Sequence, residues 1–203
     1  MGDAACFNTT PRMRGMIESV AMRRIMIVGP AGSGKSTLAR DLGAVLDLPV
    51  IHLDAHYWLP GWVEPPLDVW RERVRQLVLG ETWIIDGNYS DTFDLRLAVA
   101  DTIVFLDVAR HICLGRVIVR SLRSFGRIRP DMAPGCRERL DGAFLRWVWA
   151  YPSQRRPALV RRLEEVEGHT QVIWLQNARD IRAFLRGLPA ERIHSNVETT
   201  SSA

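Results

Sequence analysis

The chain has 203 residues, 47% hydrophobic and 25% charged, enough for one domain with a buried core. Its longest apolar runs, such as residues 25–28, are far too short to cross a bilayer, so no membrane anchor is expected. Cys6, Cys113 and Cys136 form no CxxC pair or metal spacing, and the N-terminus lacks the apolar core of a secretory signal; both point to reduced thiols in a cytoplasmic protein.

Residues 1–21 lack periodicity and read as a flexible extension. Residues 22–188 carry the ordered pattern, and the polar residues 189–203 read as a flexible tail. Within the central region, short apolar runs alternate with helical stretches. The strand candidates are Arg24–Val28, 49–53, 82–86, 102–107 and Gln171–Leu175. Helices are predicted over Lys35–Leu46, 67–79, 109–124, 137–165 and 177–185. That alternation predicts an α/β fold with a doubly wound parallel sheet of five strands. Two connections, 54–81 and 109–170, are long enough to serve as lids over a site.

Between the first strand and the first helix lies Gly29-Pro30-Ala31-Gly32-Ser33-Gly34-Lys35-Ser36-Thr37, which fits GxxxxGK[ST]. Glycines there let backbone N–H groups curl around phosphates, and the helix N-terminus adds positive charge. Lys35 is placed to reach the β- and γ-phosphates of ATP, and Ser36 to bind Mg²⁺. The loop predicts nucleotide binding.

Three acids, Asp54, Asp86 and Asp107, stand at the C-terminal ends of strands, the edge where such sheets bind ligands. Asp86 is preferred as the second Mg²⁺ residue. Asp107 reads either as a metal residue or as a helix cap. Asp54 suits an acceptor hydroxyl, or else a turn cap. His52 and His56 read as structural or rim residues.

From 110 to 139 there are eight arginines against two acids, Asp131 and Glu138. Arg116, Arg120, Arg123 and Arg127 recur at helical spacing and so share one face. Arginine stacks on purines and forks onto phosphate. Arg116 and Arg120 are therefore expected at the nucleotide. Tyr57, Trp58 and Trp62, and separately Trp147, Trp149 and Tyr151, read as core packing. The alternative for the first set is the wall of an acceptor pocket.

The phosphate loop, Ile51-His52-Leu53-Asp54, the run from Trp83 through Asp86-Gly87-Asn88 to Tyr89, Phe105-Leu106-Asp107 and the block from Arg129 to Cys136 together resemble the DNA topology modulation proteins, which are adenylate-kinase-like P-loop proteins. The resemblance spans 24–185. It implies strand order 2-3-1-4-5, which sets the third strand beside the first and favours Asp86 as the metal-linked acid. It also implies adenine stacking by Arg116 and phosphate binding by Arg120. Adenylate kinases follow Asp-Gly with Phe-Pro-Arg. Here Asn88-Tyr89-Ser90 follows, and Arg96 is the nearest substitute for the missing arginine.

The sequence thus predicts a phosphotransferase that moves the γ-phosphoryl of MgATP to a small nucleotide or metabolite. Lys35, Asp54 and Arg120 would be catalytic. Asp54, Asn88, Tyr89 and Arg96 would face the acceptor, and Ser36 and Asp86 would hold Mg²⁺. The second reading is an ATP-binding regulator that acts on DNA, supported by the basic stretch.

Overall fold

The computed structural model describes residues 22–166, 168 and 170–188. The expected extension 1–21, the tail 189–203 and Cys6 lie outside the described residues.

The elements run β1 (Arg24–Val28), α1 (Lys35–Leu46), β2 (Val50–His52), α2 (Leu53–Tyr57), α3 (Leu67–Leu77), β3 (Trp83–Asp86), α4 (Phe93–Leu97), β4 (Thr102–Leu106), α5 (Arg110–Arg123), α6 (Gly142–Gln154), α7 (Arg156–Val166), β5 (Gln171–Leu175) and α8 (Ala178–Arg186). The strands form one parallel sheet in the order β2-β3-β1-β4-β5. This is the predicted doubly wound sheet. β1, β3 and β4 consist almost entirely of buried residues, because helices cover both of their faces.

Two buried clusters flank the sheet. Leu38, Leu42, Cys113, Val117, Val148 and Phe184 bring α1, α5, α6 and α8 onto one face. Trp70, Val74, Phe93 and Leu163 bring α3, α4 and α7 onto the other. Register then sets one row at the C-terminal edge. Ile27 of β1 pairs with Asp86 of β3, and Asp86 pairs with His52 of β2. Three chemically distinct positions on the sheet thereby meet at the end of the central strands, where β1 runs into the phosphate loop.

The structure departs from the sequence pattern in the second insertion. The stretch expected as one helix over 137–165 is a non-helical lid up to residue 141, then α6 and α7. Asp141 starts α6 by accepting from the N–H groups of Ala143 (2.8 Å) and Phe144 (3.3 Å). Pro152 sits in the last turn of α6, where its missing N–H helps end the helix before Arg156. α5 stops at Arg123, so Arg127 does not share its helical face. The short helices α2 and α4 also escaped sequence reading. Each has five residues, too few to show a period.

Candidate functional site: a phosphate loop under a lid

Residues 29–37 wrap from β1 into α1. Gly34 enters the helix at φ +104°, and no side chain caps the N–H groups that follow. The first turn of α1 carries no acid to offset the positive end of its dipole. Gly32 lies against α5: at φ +80°, a Cβ there would sit 2.3 Å from the carbonyl oxygen of Cys113. The loop is thus pressed between the sheet edge and α5.

Lys35 is the chain's sole lysine among 27 Lys and Arg residues. Its Nζ donates to the carbonyls of Gly29 and Pro30, each at 3.0 Å. Arg116 likewise donates to the Ser33 carbonyl at 3.1 Å. Burial holds the Lys35 amine below its ordinary range, opposed by Asp86 and Asp54. Both cations lean on loop carbonyls, where polyphosphate oxygens are the stronger acceptors.

Ser36 donates its hydroxyl to Asp86 Oδ2 at 2.7 Å. His52 Nδ1 lies 2.6 Å from Asp86 Oδ1. That contact raises the His52 imidazole above its ordinary value, against the lowering effect of burial. His52, expected as a structural or rim residue, is joined to Asp86. The signal was parity: β2 and β3 are neighbours in register, so His52 falls beside Asp86.

Asp107 does not cap α5. It forms a two-pronged ion pair with Arg156 of α7, at 2.8 and 2.6 Å, while Ala109 begins α5 without a side-chain cap.

Asp54 lies on α2 and accepts from the Tyr89 hydroxyl at 2.6 Å. Burial pushes its carboxyl above the ordinary carboxylate range, against the lowering effects of Tyr89, Lys35 and Arg129. Asn88 and Arg96 correct the expectation that they face an acceptor. The Asn88 amide accepts from the N–H of Gly29 (3.0 Å) and donates to its carbonyl (2.8 Å). Arg96 is fully buried, and its guanidinium donates to the carbonyls of Gly87, Asn88, Tyr89 and Thr92. Both side chains are committed to holding the backbone.

Residues 124–141 form the lid. Its base is closed by Gly126 N–H to the Glu138 carbonyl (2.9 Å) and Glu138 N–H to the Arg127 carbonyl (2.8 Å). The Glu138 carboxylate is buried. It accepts from Ser121 at 2.6 Å, pairs with Arg129 at 2.7 Å, and lies 3.6 Å from Arg120. Asp131 holds the other side of Arg129 at 2.9 Å. Burial and then Arg129 lower the Arg120 guanidinium, and Asp54 acts on it in the opposite sense. Arg120 and Arg129 therefore stand together near Asp54 and Lys35. Arg129 lies beyond α5, so helical spacing in the sequence does not single it out.

The lid also grips the loop after α2. Gly61 N–H donates to the Gly135 carbonyl (3.3 Å), Trp62 Nε1 to that of Arg137 (3.0 Å), and Cys136 Sγ to that of Leu59 (3.3 Å). Trp58 and Trp62 pack on buried Met132, Ala133 and Cys136. A Cβ on Gly135 would lie 2.9 Å from Pro60, so the two insertions touch as closely as backbone permits. Tyr57 meets Tyr89 at a tilt, with ring centroids 4.6 Å apart, and Trp70 edge to face at 5.0 Å. The first aromatic set thus joins lid, loop and core. In the second set, Tyr151 is buried, while Trp149 is exposed under Arg110.

The chain is similar in structure to a shikimate kinase from Bacteroides thetaiotaomicron (TM-score 0.50, 17% identity, 82% of this chain and 95% of that one). It is also similar to a shikimate kinase from Acinetobacter baumannii solved in complex with shikimate (TM-score 0.51, 18% identity, 82% and 90%). A gluconokinase from Sinorhizobium meliloti 1021 overlaps more loosely (TM-score 0.45, 16% identity, 81% and 92%). This is a P-loop kinase fold. No family model matches the chain, and no curated protein matches it in sequence, so the DNA topology modulation family is not confirmed. Among the described residues, no helix is long and apolar enough to cross a membrane.

Proposed function

We propose that the protein is an ATP-dependent phosphotransferase that phosphorylates a hydroxyl of a small metabolite. One observation carries this reading. Asp54, held by Tyr89 close to Lys35 of the phosphate loop, lies beside a segment 124–141 that is fastened to the loop after α2 by the Gly61–Gly135 and Trp62–Arg137 hydrogen bonds. A lid fastened over both groups would suit transfer between two bound molecules, because it would exclude water. The folds of the two shikimate kinases are consistent with it.

In this reading the uncapped start of α1 and Lys35 receive the ATP phosphates, and Arg116 leaves its loop carbonyls to lie along the nucleotide. The Ser36–Asp86 pair fits Mg²⁺, a hard ion that takes oxygen ligands and keeps others from phosphate and water. When bound, the ion would neutralise phosphate charge. Asp54 accepts the proton of the acceptor hydroxyl, which its burial-raised basicity favours. Arg120 and Arg129 stabilise the charge that develops on the transferred group.

The test is a screen of nucleotides, nucleosides and metabolites with γ-labelled ATP. Label should appear on a hydroxyl compound, and ATP alone should turn over slowly. Fast ATP hydrolysis that persists in Asp54→Ala would sink the proposal. A second arm needs no acceptor. A lysine-reactive acyl phosphate of ATP should modify Lys35 and be blocked by MgATP. The regulator reading draws on the exposed Arg123, Arg127, Arg137 and Arg139. It requires DNA binding that weakens steeply with salt.

A further inference from the structure

Arg96 is a buried cation with no carboxylate beside it. Its chain neighbour in charge, Asp94, is exposed and holds Arg71 instead, at 2.7 and 3.1 Å. Burial of an unpaired guanidinium is costly unless its donors find acceptors. Here the acceptors are four backbone carbonyls, three of them consecutive, at Gly87, Asn88 and Tyr89. Those three residues connect the end of β3 to the acceptor side.

The same segment is pinned from its opposite side by the Asn88–Gly29 pair of hydrogen bonds. Between the two clamps, Tyr89 is held at φ +36°, a left-handed conformation unusual for an aromatic residue. In that conformation its hydroxyl reaches Asp54 Oδ1 at 2.6 Å, 35 residues away in sequence.

We infer that Arg96 is a positioning residue: by gripping the carbonyls of Gly87, Asn88 and Tyr89 it holds the Tyr89 hydroxyl on one oxygen of Asp54 and leaves the other for a single acceptor hydroxyl. The inference rests on Asp54 as the acceptor-side base. It adds a remote residue that sets the orientation of that base and one that sets its basicity. Tyr89 opposes the upward pull of burial on Asp54, as do Lys35 and Arg129. Asp86 pushes upward, and Arg120 also acts on the carboxylate. Losing the tyrosine hydroxyl therefore leaves Asp54 more basic and free to rotate.

The test reads Asp54 directly and requires no acceptor. The carboxyl carbon of Asp54, assigned with Asp54→Asn, is titrated by carbon-13 NMR in the full chain. Tyr89→Phe should move the midpoint up by about 1 pH unit, as loss of a hydrogen bond to a carboxylate does. Arg96→Lys should move it in the same direction, and the double variant should move it no further than Tyr89→Phe alone. Asn88→Ala loosens the same segment from the Gly29 side without emptying the interior, and serves if Arg96→Lys does not fold. Its shift should also vanish in the Tyr89→Phe background. An Arg96→Lys or Asn88→Ala protein that is less stable but keeps the wild-type Asp54 midpoint would overturn the inference. Failure of the underlying phosphotransferase reading would show elsewhere, as absent Lys35 protection by MgATP.

Discussion

Ser36 and Asp86 meet at 2.7 Å across the gap between the first turn of α1 and the end of β3. Asp107, at the equivalent end of β4, is instead occupied by Arg156. Asp86→Asn should therefore raise the Mg²⁺ concentration needed for nucleotide binding, while Asp107→Asn leaves it unchanged. Asp107→Asn should cost about 1 kcal/mol of stability through its half-exposed ion pair. Metal titrations of nucleotide binding, with denaturant unfolding, separate the two; the reverse ranking would make Asp107 the metal-linked acid.

Replacement of Lys35 by Ala should bring phosphoryl transfer below detection. The fold should persist, because the amine bonds only two loop carbonyls. Circular dichroism alongside the transfer assay decides this, and normal turnover in the variant would remove the site assignment.

Asp54 carries a stability consequence with a definite sign. Its folded carboxyl is raised above the unfolded value, chiefly by burial. Its favourable contribution is therefore complete below the ordinary carboxylate range and is lost as pH rises through the folded value. Asp54→Asn should stabilise the protein at neutral pH, show no gain in acid, and abolish transfer. Thermal unfolding at pH 4 and pH 7 tests it. An asparagine variant less stable at pH 7 contradicts it.

His52 follows the same rule with a higher window. Its imidazole is raised mainly by Asp86. The stabilisation it gives is full below about pH 6.5 and fades as pH rises through the elevated value. His52→Asn should flatten the stability profile over that interval, measured as unfolding free energy against pH.

Gly135→Ala tests the seam between the insertions. Its φ of +81° and the 2.9 Å approach to Pro60 leave no room for a methyl. The substitution should cost on the order of 1–3 kcal/mol, and alkylation of Cys136 should become several-fold faster. ATP hydrolysis without acceptor should rise as water enters. Unchanged Cys136 reactivity would mean the seam opens regardless.

The parts of this architecture that obey short-range rules were readable in advance. β1, the loop and α1 follow one another with motif, run and period in agreement, and their limits match those expected. The strand order 2-3-1-4-5 came from the family resemblance, and the sheet has that order. What escaped was long-range. Arg96 looked like a ligand arginine because composition does not reveal that carbonyls eight and nine residues upstream will surround it. The arginines after 123 looked helical because spacing alone does not show where a lid leaves its helix. Arg129 emerges only with Glu138 and Asp131 folded around it.

With Arg at every other basic position, Lys35 is the one side chain in this protein with an ε-amine. Any acyl transfer directed at lysine therefore meets, apart from the terminal amine, a single acceptor, and it lies in the phosphate loop. Acetylation there would cancel the charge that receives the nucleotide, and a bound nucleotide would shield the amine in return. On the proposed reading, acylation and nucleotide binding would compete for this one nitrogen atom.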